Sequence, residues 1–224
     1  MPSNYNLNTH HRRSIRLKDY DYSKAGLYFI TICTQHRINL FGKIIDNRMI
    51  LNIAGEMINK IWLEIPKICP NTKLHEYIIM PNHFHAILEI TKQPVGAESI
   101  SAPNNTNSIS NQSARNNVNY ISVPMDENVV GNGMNVGANM EFAPTGSMGI
   151  VSLPKIVQTF KRYTTIKYIK MVKQNLLSPF KKRVWQRNYY EHIIRDERSY
   201  LRIVEYIINN PLKWENDKYY IPNP

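Results

Sequence analysis

The chain has almost no cysteine: Cys33 and Cys69 are the only two among 224 residues. Two thiols cannot build a disulfide framework or a cysteine-based zinc site, and so sparing a use suits a reducing cytoplasm. Long apolar runs are missing as well. Tyr28–Cys33 and Tyr77–Met80 are strand-sized, far short of the roughly 20 apolar residues that span a bilayer. The N-terminus also lacks the charged-then-apolar order of a secretion signal. A soluble, cytoplasmic protein without membrane contact is expected. Acidic residues are under-supplied, 17 against 28 Lys and Arg, for a formal net charge of +11. The deficit is uneven. Between Thr91 and Gly149 only Lys92 and Arg115 oppose Glu98, Asp126, Glu127 and Glu141, so the rest of the chain carries a formal +13. A basic excess of that size suits a polyanion, and a nucleoid-associated protein that binds nucleic acid through phosphate contacts is expected.

What is present is ordered along the chain. After a polar start, His10–Lys18 forms a basic arm with Arg12, Arg13, Arg16 and Lys18, and Asp19-Tyr-Asp-Tyr22 follows it. These residues suit either DNA backbone contacts or a tethered segment packed by tyrosines. Tyr28–Thr34 reads as a central strand, 42–45 and 49–52 as a small hairpin, and the apolar spacing from Ile53 to Ile65 as a core-facing helix closed by Pro66. Strands over 74–80 and 83–90 flank Pro81-Asn82. Thr91–Gly149 is then crowded with Asn, Ser, Gly and Ala; it cannot bury enough surface to offset its ordering entropy and reads as a long disordered insertion. A helix resumes near Ser152 and carries Lys155, Lys161, Arg162, Lys167 and Lys170, with no acidic residue from Val151 to Arg183. That pattern favours a phosphate-tracking face over an ordinary solvated one. Val184–Ile194 reads as a strand, and Asp196 caps a last helix that Pro211 ends.

Two constellations carry chemistry. On the strand His83-Phe84-His85 the two imidazoles share one face. They are either half of a divalent-metal site or ordinary strand histidines. On the last helix Tyr200, Ile203, Val204, Ile207 and Ile208 form the apolar stripe, and Tyr206 falls well away from its middle. Asn210, at i+4 from Tyr206, presents an amide oxygen suited to a hard cation near the same face. A tyrosine is a poor nucleophile unless a metal polarises the phosphodiester that it attacks. His192 and the other tyrosines fit packing or stacking roles better.

The ordered set Tyr20-Asp-Tyr-Ser, Tyr28-Phe-Ile-Thr-Ile-Cys-Thr-Gln35, Met80-Pro-Asn-His-Phe-His85, Val184-Trp-Gln-Arg and Tyr206-Ile-Ile-Asn-Asn-Pro211 resembles the single-tyrosine HUH transposases, in particular their REP-associated tyrosine transposase branch. The resemblance spans most of the chain outside Met1–Thr9 and the insertion. It implies an α+β, ferredoxin-like sandwich: an antiparallel sheet bearing the histidines, with helices on one face and a helix laying the tyrosine across them. A single domain would comprise residues 1–90 and 150–224, interrupted by 91–149. It further implies His83, His85 and Asn210 as ligands of Mg²⁺ or Mn²⁺ and Tyr206 as nucleophile. The implied activity is cleavage and rejoining of single-stranded DNA beside short hairpins, leaving a 5′-phosphotyrosine and a free 3′-OH. Many relatives carry Gln at the position of Asn210, which offers the same amide oxygen. Relatives work as monomers or as dimers that exchange tyrosine helices, so a homodimer stays open. The rival functions are a non-catalytic hairpin DNA- or RNA-binding protein and a metal phosphodiesterase that uses water.

Overall fold

Alternation of apolar side chains from Gly26 onward produces β1 (Gly26–Cys33), with Tyr28, Ile30 and Ile32 buried on one face and Phe29 and Thr31 turned to the other. In the computed structural model the described residues are 17, 19–92, 120–122 and 150–222. The arm residues Arg12, Arg13, Arg16 and Lys18, and nearly all of the expected insertion, lie outside them. β2 (Gly42–Ile45) and β3 (Arg48–Leu51) form the expected hairpin. Its turn is the two residues Asp46 and Asn47, both at positive φ, the geometry that matches strand twist. Asn52 caps α1 (Ile53–Leu63) by accepting from the amides of Ala54 and Gly55. Pro66 begins a short α2 (Ile65–Ile68) instead of ending the element, since its fixed φ and missing N–H suit a first helical turn. β4 (Thr72–Met80) and β5 (His83–Ile90) then pair across Pro81-Asn82.

Within the segment expected to be disordered, Tyr120–Ser122 forms β6, paired in parallel with β3. α3 (Leu153–Lys173) follows, then β7 (Tyr190–Ile194) and α4 (Glu197–Ile208), whose N-cap Asp196 accepts from the Ser199 amide at 2.7 Å. The strand expected over 184–194 is thus regular only in its last five residues. Before them, a single bridge joins Trp185 to Thr34.

The main sheet has the order β4-β5-β1-β7 and is antiparallel throughout. The histidine strand is an interior one, fixed by ladders on both sides. α1 and α3 cover one face, where Trp62, Phe84 and Phe160 meet with ring centroids 4.9–5.3 Å apart. The antiparallel α+β sandwich is therefore as expected. The other face is covered differently. α4 crosses it and sets Ile207, with the half-buried Tyr200, Ile203 and Val204, on Ile78, Met80, Ile87 and Ile194. Ile208, expected in that stripe, is half exposed because the helix turns it past the sheet. The histidines lie on α4's side of the sheet.

Candidate active site

β5 pairs His85 with Thr31 and Ile78, and His83 with Cys33 and Met80. Both imidazoles are buried. Burial holds the His83 pKa down to about 3; the Asn210 side chain pulls it upward, and the Lys218 and Arg37 charges add to the depression. Burial likewise drives His85 well below the usual histidine range, helped by His83 and Lys218. Both rings are therefore neutral near pH 7, the form that ligates metals.

Neighbours orient the rings. The Asn82 amide donates to the carbonyls of Arg37 (3.1 Å) and Tyr219 (2.8 Å), so its oxygen must be the atom 2.9 Å from His83 Nδ1. An amide oxygen only accepts, which places the proton on Nδ1 and leaves Nε2 with a lone pair. Thr31 Oγ1 lies 2.8 Å from His85 Nδ1 and holds that ring in place.

α4 brings the tyrosine to this pair. With its apolar side down on the sheet, the Tyr206 hydroxyl stands 3.2 Å from His85 Nε2 and its ring meets Phe29 edge-on at 6.1 Å. One turn later Asn210 is buried and donates to Asp217 Oδ2 at 3.2 Å. Pro211 starts a 3-10 segment (Pro211–Asn216) that returns the chain over the site, and Asp217 comes back to within 3.4 Å of the Tyr206 hydroxyl. Its other oxygen accepts from the Tyr219 amide at 2.6 Å. Burial, with the Asp217 charge next, raises the Tyr206 pKa to about 12, while Asn210 lowers it. The phenol stays protonated at neutral pH.

The donor set fits a divalent cation. Among the described residues, His83 Nε2 and Asn210 Oδ1 are buried without a hydrogen-bond partner, an arrangement that costs about 1–3 kcal/mol per group if nothing else binds. Ligand atoms of His83, His85 and Asp217 lie within 4.8 Å of one another. All four residues of the expected constellation therefore meet, and Asp217 joins them. No helical or strand period links Asp217 to Tyr206 or Asn210; the only signal in the sequence is a carboxylate just beyond a proline-initiated turn.

The basic residues are distributed differently. Lys155, Lys161, Arg162, Lys167 and Lys170 lie on α3, which packs on the sheet face opposite the histidines. Lys161 is engaged structurally, its ammonium donating to the carbonyls of Gln186 and Asn188 at 3.0 and 3.1 Å. The cations beside the histidines are Arg37 and Lys218, 5.3 and 4.8 Å from the Tyr219 ring centroid, with Lys213 on the cleft wall. The cleft, about 400 Å³, is also lined by Phe29, Thr31, His85, Tyr206 and Asn210. Of the other tyrosines, Tyr163 is half-buried against the core and Tyr168 is buried; Trp185 is buried and donates to Thr164 Oγ1 at 2.8 Å.

No family model matches the chain. A Haemophilus influenzae protein, described as uncharacterised, is 38% identical over 221 residues, 99% of each chain. This chain belongs to that protein's family. A solved REP-associated tyrosine transposase bound to a REP hairpin superimposes with a TM-score of 0.45 at 16% identity, over 91% of this chain and 76% of the other. A Deinococcus radiodurans protein proposed to be a transposase gives 0.37 at 13% identity, over 87% and 95%. Among the described residues no helix is long and apolar enough to cross a membrane.

Proposed function

We propose that the protein is a metal-dependent, single-tyrosine HUH transposase that cleaves and rejoins single-stranded DNA beside short hairpins through a 5′-phosphotyrosine. The observation that carries this reading is the Tyr206 hydroxyl, 3.2 Å from His85 Nε2 and one helical turn before Asn210. A packing tyrosine has no need of two neutral imidazoles, a buried amide oxygen and a carboxylate around its hydroxyl. His83, His85 and Asn210 would hold Mg²⁺ or Mn²⁺, which when bound polarises the scissile phosphate and offsets the charge that develops on it.

The chain's own groups account for the rest. Tyr206 Oη attacks phosphorus, an Oη–P bond forms, and the P–O3′ bond breaks to leave a 3′-OH that has taken up a proton. With its pKa near 12 the phenol must lose its proton as it attacks, and the Asp217 carboxylate, 3.4 Å away, is placed to accept it. Rejoining is the reverse: a 3′-OH attacks the phosphotyrosine and the phenol leaves. Arg37, Lys213 and Lys218 supply positive charge to the strand's phosphates. The α3 residues Lys155, Arg162, Lys167 and Lys170 would extend that surface around the sheet toward the hairpin stem, and Arg12, Arg13, Arg16 and Lys18 would add contacts to DNA phosphates.

The test is incubation with a pool of single-stranded hairpin oligonucleotides and Mn²⁺, wild type against Tyr206→Phe, read on a denaturing gel. A protein–DNA adduct that requires both metal and Tyr206 is expected. Cleavage that persists in Tyr206→Phe without an adduct would mean water attack, and salt-sensitive binding without cleavage would mean a hairpin-binding protein.

A further inference from the structure

A second cavity, about 150 Å³, adjoins the cleft and is lined by Thr31, Cys33, Gln186, Asn188, Tyr189 and Tyr190. It exists because β1 and β7 separate. Their ladder ends at Thr31 and Tyr190 and contact resumes only at the Thr34–Trp185 bridge, so the intervening residues bow away from the strand. The bowed segment is held from behind: Lys161 Nζ donates to the carbonyls of Gln186, Arg187 and Asn188 at 3.0, 3.4 and 3.1 Å and lies 5.5 Å from the Tyr189 ring centroid. From the front, the Gln186 amide nitrogen of the backbone donates to the Cys33 carbonyl at 2.9 Å. The backbone is thus fixed by its own polar groups, and Gln186 and Asn188 are the two carboxamide residues among those that line the cavity.

Thr31 lines both this cavity and the cleft containing His85, Tyr206 and Asn210, so the two spaces are neighbours. Lys218 joins them on the outer side; it lines the cleft, and its ammonium is 6.0 Å from the centroid of the half-exposed Tyr190 ring. At about half the lower bound of roughly 300 Å³ typical for drug-sized ligands, the volume suits one planar ring system and excludes a base pair. Carboxamides both donate and accept, as reading of a base edge requires, and a tyrosine ring offers a stacking surface.

We infer that this cavity is a reading pocket for one unpaired nucleobase next to the bond cut at Tyr206, with Gln186 and Asn188 as the residues that select the base. The inference rests on the single-stranded DNA reading above. It gives the Val184–Tyr190 segment a function that strand continuity would have prevented, and it makes Lys161 a positioning residue that acts through the loop backbone.

The experiment reacts the full-length protein with a hairpin-bearing single-stranded library, randomised beside the hairpin, in Mn²⁺, and sequences the DNA in the covalent adducts. Wild type is expected to show a preference of about tenfold at one nucleotide beside the cleaved bond, the size of a single good base contact. Gln186→Ala/Asn188→Ala is expected to form adducts with that preference below about twofold. The isosteric Gln186→Glu/Asn188→Asp guards against a folding defect: its carboxylates only accept, so the preference is expected to move toward bases that present an amino group. No preference in wild type, or the wild-type preference intact in both variants, overturns the pocket while leaving the transposase reading in place. Absence of adducts with every protein, wild type included, overturns that reading and the pocket with it.

Discussion

Lowering the pH of the metal-free protein from 7 to 5 should remove about 2 kcal/mol of stability through His83, and His85 should add to the loss. Both rings are neutral in the folded chain because burial disfavours their charged form, with His83 held down to about 3 and His85 also well below the usual range. In the unfolded chain each returns to about 6.5. The folded values lie below the unfolded ones, so the stability is fully present above about pH 6.5 and is lost as the pH falls from there toward 3. Over pH 7 to 5 the unfolded chain takes up protons that the folded chain refuses, which costs about 2 kcal/mol through His83, and His85 acts in the same direction. Urea unfolding in EDTA at the two pH values, wild type against His83→Gln/His85→Gln, isolates the pair, because all other titrating groups are common to both proteins. The wild type should lose at least about 2 kcal/mol more than the variant between the two conditions. Equal losses would refute the argument, since the histidines would then be titrating as freely folded as unfolded.

Three further outcomes follow from the site and core. Asn82→Ala removes the acceptor that fixes the proton on His83 Nδ1; calorimetric titration should show Mn²⁺ binding weakened about ten- to a hundredfold, whereas a purely structural asparagine would lower the melting temperature without changing affinity in the folded protein. Asp217→Asn should slow adduct formation by about 10² or more. Because the Asp217 charge helps to raise the phenol pKa, the same variant should bring Tyr206 ionisation down from about 12, measured by ultraviolet phenolate titration against a Tyr206→Phe control. Phe84→Ala, which empties the contact among Trp62, Tyr77 and Phe160, should cost about 3–5 kcal/mol in urea unfolding.

The sequence by itself determined the elements whose signals are local. Alternation at period 2 put His83 and His85 on one face opposite Phe84 and Ala86; the 3.6-residue stripe of α4 set Tyr206 beside that stripe with Asn210 one turn later; Asp196 marked a helix start by its capping chemistry. Each of these rests on neighbours within about five residues, where backbone geometry alone fixes direction. Local signals also misled. The apolar character of 184–190 looked like strand, yet Lys161 binds its carbonyls and draws it away from β1. The lysines of α3 form the most conspicuous basic run, and no local signal told which way they face: packing of Phe160 on Trp62 and Phe84 set that helix on the side away from the histidines.

Only the tertiary structure decided which groups surround the Tyr206 hydroxyl. Asp217 returns after a 3-10 segment, Arg37 leans on Tyr219 from a turn some 180 residues earlier, with its guanidinium bonded to the Lys218 carbonyl at 3.0 Å, and Asn82 ties both chain segments to His83. No period connects positions so far apart. Their meeting is set by the order β4-β5-β1-β7 and by α4 lying across its open face, and those are properties of how the chain buries its apolar surface as a whole.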